Sequence, residues 1–268
     1  MEGERIHYFF QIDDNILLLI KSSNVELVEV KDKNIDLLQS FDTYSLTIFG
    51  PLDKKILFHE SNSYNKEHII KAYIYENKKL KFEKEKPMNS MKNIEVDYRK
   101  NSYCIINKKE IGISYCEKGL LFYNYYIGFF DLEKDKKIHS FGVEKDTILS
   151  LINKDILIYT IGSKIYPVHL KNHSRKKEIK LEDGNINSIL VLNEKKFLVG
   201  QFYVIKQFEL GKDNKLELIS SMEFRNTQFD NLYMYPNNRY LTLYNDKAHD
   251  DADNYIRLYY SDLDDENK

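Results

Sequence analysis

Tryptophan is absent from the chain, glycine is held to 10 residues and cysteine to two. Without tryptophan, the Ser-x-Asp-x-Gly-x-x-Trp box of sialidase-type enzymes cannot be written. With so little glycine, neither GxxxxGK[ST] nor GxGxxG occurs, so the backbone lacks the clustered glycines that let a loop approach phosphate. Cys104 and Cys116 are too sparse to staple a secreted fold and lack CxxC spacing, so a reducing, cytoplasmic setting is expected. The GxSxG elbow, the HExxH pair and paired CxxC arrays are missing as well, which removes the common sequence-visible hydrolase and zinc signals. No run approaches the roughly 20 apolar residues of a membrane helix. Met1 to Phe10 has neither the basic start nor the apolar stretch of a signal peptide. Lys and Arg number 40 against 42 acidic residues, a net charge of −2. Such a balance gives no overall pull toward nucleic acid or anionic lipid, so neither nucleic-acid binding nor membrane insertion is expected.

What the chain does have is 42% hydrophobic residues, 21 Tyr and 15 Phe, enough to bury a core and suited to pleated, half-buried surfaces. Short alternating or apolar runs are separated by clusters of Asn, Asp, Lys and Ser, the pattern of strands and turns. Three stretches share one strand-turn-strand template: Ile148 to Leu157, Ile189 to Leu198 and Leu232 to Leu241. Weaker copies lie at Phe9 to Leu17, Leu46 to Leu57 and Ile113 to Leu121. Anchoring each on its second-strand leucine (Leu17, Leu57, Leu121, Leu157, Leu198, Leu241) defines six units at the roughly 40-residue period of a four-stranded propeller blade. Sheets of this kind bury both faces only by stacking on their neighbours. The expectation is one all-β domain over residues 1–268, a β-propeller of six four-stranded blades, with seven blades, one degenerate, as the alternative. The long step before Leu121 is assigned to an insertion at 84–108, with a hairpin of Ile94 to Tyr98 and Tyr103 to Ile106. Residues 261–268 read as an acidic tail.

The segment Tyr126 to Phe141 resembles the third-to-fourth strand stretch of a WD40 repeat, with Phe130-Asp131 where that family has Trp-Asp. The equivalent places elsewhere are read as Glu29-Val30, Ile74-Tyr75, Val168-His169 and Phe208-Glu209, and the Gly-His that opens such repeats is absent throughout. The resemblance covers the whole chain as a period and implies a degenerate WD40-like propeller used as an interaction platform, binding through one rim.

No catalytic residue, metal ligand or cofactor site is assigned. The seven histidines, His7, His59, His68, His139, His169, His173 and His249, lack ligand spacing, and His139 and His169 read as structural strand residues. The acidic group Asp246, Asp250, Asp251, Asp253 and Asn254 fails the calcium-loop pattern, because no glycine sits at its sixth position. His173 to Lys177 reads as an ordinary basic surface. The functional residues expected are those on loops at one blade rim: Tyr44, Tyr64, Tyr125, Tyr126, Phe202, Tyr203 and Arg225, aromatic and arginine side chains of the kind that anchor interfaces. The function expected is a non-catalytic protein-interaction scaffold or adaptor, with room for a place as a subunit of a larger complex. The alternative is a propeller enzyme or small-ligand binder with an axial site.

Overall fold

The computed structural model describes residues 6–21, 24–31, 34–42, 46–52, 54–62, 67–96, 103–120, 122–212, 215–223, 229–235 and 239–244. The first sheet runs β1 (Ile6–Asp13), β2 (Ile16–Lys21), β3 (Asn24–Lys31), β4 (Asn34–Asp42). The second runs β5 (Leu46–Leu52), β6 (Lys55–Asn62), β7 (Glu67–Glu76), β8 (Lys79–Pro87). A 3-10 turn, Asn89–Met91, leads to the third, built from β9 (Ile94–Val96), β10 (Tyr103–Ile105), β11 (Glu110–Lys118), β12 (Tyr123–Asp131) and β13 (Lys136–Val143). The fourth holds β14 (Ile148–Leu151), β15 (Ile156–Ile161), β16 (Lys164–His169), β17 (Ser174–Arg175) and β18 (Ile179–Lys180). The fifth runs β19 (Ile186–Val191), β20 (Lys196–Gln201), β21 (Val204–Leu210), β22 (Leu216–Glu223), and β23 (Phe229–Tyr235) pairs with β24 (Arg239–Tyr244).

Each full sheet is therefore an antiparallel meander laid down in chain order. The described chain groups into two compact units: one takes the first two sheets and most of the third, the other takes Tyr103, Tyr125–Ile127 and everything from Phe141 onward. Within the first unit β1 lies beside β5 and β4 beside β8; within the second, β14 lies beside β19 and β19 beside β23. First strand against first strand and outer against outer is how propeller blades stack.

Period-two alternation fills the spaces between blades. Ile16, Leu18 and Ile20 of β2, with Val25 and Leu27 of β3, pack against Ile56, Phe58, Tyr75 and Leu80 of the second blade. Ile156 and Ile158 of β15 meet Phe197, Val199 and Phe208 of the fifth in the same way. The outer edges of blades one and two are latched by Gln39, whose amide donates to the Leu80 carbonyl at 3.2 Å and accepts from its N–H at 2.9 Å.

The repeat is visible in one backbone bond. The N–H of Val30, Tyr75, Leu132, Leu170 and Leu210, each closing a third strand, donates to the carbonyl of Asn15, Lys54, Lys109, Asp155 and Lys195, each preceding a second strand. Blades three to five share a further device: Asn107, Asn153 and Asn193 turn the first strand into the second by accepting, on Oδ1, the N–H of Lys109, Asp155 and Lys195 respectively, each at 2.9 Å. An Asn side chain that mimics a backbone turn in this way explains why the polar clusters open with Asn.

These bonds correct the expected register. The described residues hold five sheets of four or five strands and one two-stranded pair, rather than six four-stranded blades or seven. Residues 245–268, which would have to supply the outer strands after β24, lie outside the described residues, as do Leu121, the acidic group at 246–254 and the tail at 261–268. The first hairpin of blade three turns at Asn107, not within Ile113 to Leu121. Ile94–Val96 and Tyr103–Ile105 do not form a hairpin with each other; both pair with β11, where Val96 lies opposite Tyr115 and Ile94 opposite Glu117. The remainder of 84–108 contains the end of β8 and the 3-10 turn. That turn is held from blade three: Asp135 accepts the N–H of Asn89 at 2.8 Å and of Ser90 at 2.9 Å.

The outer strand of blade four is broken into β17 and β18, which pair with opposite ends of β16. Pro167 lies in β16 between those ends, and its carbonyl accepts from Lys176 N–H at 2.8 Å. The N–H and C=O of a strand residue face the same neighbour, so the donor that proline lacks is one a continuous outer strand would have used.

Candidate interaction surface

The family-like position lies at or within two residues of the end of each third strand. Opposite the first residue of each second strand stand Glu29 (facing Ile16), Ile74 (Lys55), His169 (Ile156) and Glu209 (Lys196). The dipeptides equivalent to Phe130-Asp131 are thus Val28-Glu29 and Tyr73-Ile74, one residue earlier than expected in the first two blades. A carboxylate therefore persists in three of the five blades, as Glu29, Asp131 and Glu209. Asp131 binds the turn that follows, accepting the N–H of Glu133 and of Lys134 at 2.9 Å each. Glu29 is buried and clasps blade two, bonding Lys78 at 2.5 Å and Lys31 at 3.1 Å while Asn15 donates to it at 3.2 Å. The lysines, Lys78 foremost, hold its carboxyl below the ordinary carboxylate range. These carboxylates organise structure.

A second recurring device ties outer strands to the interior. In blade three Lys137 of β13 reaches the Tyr115 hydroxyl at 3.3 Å and lies over its ring, while Phe130 meets that ring edge-on at 6.0 Å between centroids. Gly128 is what makes room, since a Cβ there would stand 2.6 Å from the Tyr115 ring and 2.7 Å from Phe130. In blade four Arg175 bonds the Tyr159 hydroxyl at 3.0 Å and covers Tyr166, which stacks on Tyr159 at 4.9 Å. The basic segment at 173–177 thus spends its arginine on the blade's own aromatic stack.

Two histidines are lowered together. His59 on β6 and His68 on β7 are both buried, with His59 Nε2 and His68 Nδ1 2.9 Å apart and the rings parallel. His68 also donates to the Ile94 carbonyl. A neutral imidazole has one donor nitrogen and one acceptor, so that bond leaves His68 Nδ1 as the acceptor and makes His59 Nε2 the donor. Burial, aided by His68, pushes His59 down to about 3; burial also lowers His68. The pair was not legible in the sequence, because its members lie on two different strands; the register brings them together, since Ser61 faces His68, which puts His59, two residues earlier, on the same face. Burial likewise pushes the Cys104 thiol up to about 12, far from the thiolate a nucleophile needs at neutral pH. Among the described residues no group of three or more His, Cys, Asp and Glu is placed to hold a metal ion.

Exposed apolar side chains lie on the outer strands, as at Leu37, Phe82 and Leu218, and on the turns between second and third strands of blades three and five. In blade three Leu120 is fully exposed and Phe122 is 79% exposed, with Tyr123 beside them at the start of β12. The turn is closed by Gly119 N–H donating to the Phe122 carbonyl at 2.9 Å. Glycine is required there, since a Cβ would lie 2.7 Å from that carbonyl oxygen. The corresponding turn of blade five presents Phe202 and Tyr203, 39% and 50% exposed, in an edge-on pair with centroids 5.7 Å apart. Of the rim residues expected from sequence, Phe202 and Tyr203 therefore lie on such a turn. Tyr125 and Tyr126 lie within β12 and are half-buried, so the exposed tip falls a few residues earlier, at Leu120 to Tyr123. Tyr44, Tyr64 and Arg225 lie outside the described residues.

Within each compact unit, antiparallel meanders closed by a repeated third-strand bond stack in the manner of propeller blades. No family model matches the chain and no curated protein matches it. Among solved structures it is similar to the WD40 β-propeller domain of Doa1, at 11% identity over 89% of each chain with a TM-score of 0.49.

Proposed function

We propose that this protein is a non-catalytic interaction scaffold that engages a protein partner through its second-to-third strand turns, with the blade-three tip as principal anchor. One observation carries the reading: Leu120 and Phe122 stand out in water on a tight turn whose flanking strands are buried in a blade. Exposing two large apolar side chains on a rigid support contributes nothing to folding, whereas withdrawing them from water on binding gains roughly 25 cal/mol per Å² of apolar surface. Phe202 and Tyr203 supply a second contact of the aromatic kind favoured at interface centres. Among the described residues no helix is long and apolar enough to cross a membrane. A cytoplasmic location and membership of a larger complex fit two reduced thiols and a near-neutral charge.

The test is affinity purification of the full chain from native extract, beside a Leu120→Ser/Phe122→Ser variant checked for unchanged melting. Proteins that co-purify with the parent and are lost with the variant support the reading. An unchanged co-purifying set would contradict it.

A further inference from the structure

Blades two and three enclose a cavity of about 300 Å³ lined by Lys55, Leu57, Ile70, Ala72, Lys84, Lys86, Met88, Lys108, Leu132 and Glu133. Its origin is legible in the strand register. Leu57, Ala72 and Lys84 face one another across β6, β7 and β8, as do Ile70 and Lys86 across β7 and β8. The central member of the first row is only a methyl group, so a hollow opens between a leucine and a lysine stem. Leu57, Ile70, Ala72 and Met88 are buried and form an apolar floor.

Around that floor stand four lysines and one glutamate. Lys55 is ion-paired with Glu83, and Glu133 is taken by Lys109 at 2.9 Å. Lys86 donates to the carbonyls of Leu132 at 2.7 Å and Glu133 at 2.6 Å, which fixes its position without neutralising it. Lys84 and Lys108 are exposed at the mouth. A hollow with an apolar floor and room for a large side chain, with Lys86 fixed and Lys84 exposed at its rim, is complementary to an apolar group carried between carboxylates.

We propose that this cavity is an anchor pocket for an acidic peptide segment of a partner protein, seating one large apolar side chain on the Ala72 floor while flanking carboxylates meet Lys84 and Lys86. It uses none of the turn residues above, so either proposal stands if the other fails.

The test is fluorescence polarisation of the full chain with short labelled peptides: leucine flanked by glutamates, serine flanked by glutamates, and leucine flanked by glutamines. The first should bind, and each of the others should bind at least about tenfold more weakly, a difference of roughly 1.4 kcal/mol. Added salt should weaken the first peptide's binding, and the exposed-site variant Lys84→Glu, with unchanged melting, should lose at least the same factor. Equal binding of the two glutamate-flanked peptides, equal binding of the two leucine peptides, full displacement by inorganic phosphate, or no binding at all would each overturn the proposal. The peptide series on the parent protein decides the matter even if the variant fails to fold.

Discussion

Acidification should loosen this fold through one side chain. His59 titrates near 6.5 when unfolded and near about 3 when buried against His68. Between those values the unfolded chain binds a proton that the folded chain refuses, so stability is present in full above the ordinary histidine value and is lost as pH falls toward the folded one. Each unit of pH in that window costs about 1.4 kcal/mol for one such group, so going from about pH 7.5 to about pH 5 should remove roughly 2 kcal/mol through His59 alone. The assay is urea unfolding at both pH values, followed by far-UV circular dichroism, for the parent and for His59→Gln. Glutamine retains an N–H that can serve the His68 acceptor but does not titrate. The variant's stability should change less between the two pH values than the parent's, by about that roughly 2 kcal/mol, because every other titrating group is shared. Equal pH dependence in the two proteins would refute the reasoning, since it would mean that His59 is hydrated, or already charged, in the folded state.

Further perturbations test other joints of the fold. Gly128→Ala would drive a methyl into the Tyr115 and Phe130 rings and should cost roughly 1–3 kcal/mol by chemical denaturation. Asp135→Ala removes the acceptor for Asn89 and Ser90 at the connection between blades two and three and should cost about 1–2 kcal/mol, the scale of a lost cap, read as a lowered urea midpoint. Thiol labelling of the native protein should modify the half-buried Cys116 first and leave Cys104 unmodified until unfolding, as mass spectrometry of labelled peptides would show.

The blades that the sequence made easiest to read are those with an Asn turn. Asn153 and Asn193 sit at the same point of a strand pair. Blade three has the same signal at Ile106-Asn107-Lys108-Lys109, but leucine anchoring passed over it because the second strand there begins Glu110-Ile111 without a leucine. That slip placed Tyr125 and Tyr126 in a loop and hid the real tip at Leu120 and Phe122. A single-residue slip in blades one and two had a parallel effect: it paired Glu29 with Val30 and concealed the carboxylate at the end of the third strand. In a pleated strand one residue exchanges the faces, so small errors of register become errors of exposure. The His59 and His68 pair and the lysine-rimmed cavity were illegible for a different reason. Each depends on neighbours brought together across strands or blades, and no local pattern announces them.

The central claim is that the blade-three tip is buried by a partner. Hydroxyl-radical footprinting of the chain alone, and of the complex purified from native extract, tests it directly. The account predicts strong protection of Leu120, Phe122 and Tyr123, with weaker protection of Phe202 and Tyr203. Protection confined to outer-strand residues such as Phe82, Leu218 and Met222, with Leu120 and Phe122 as reactive in the complex as alone, would contradict it.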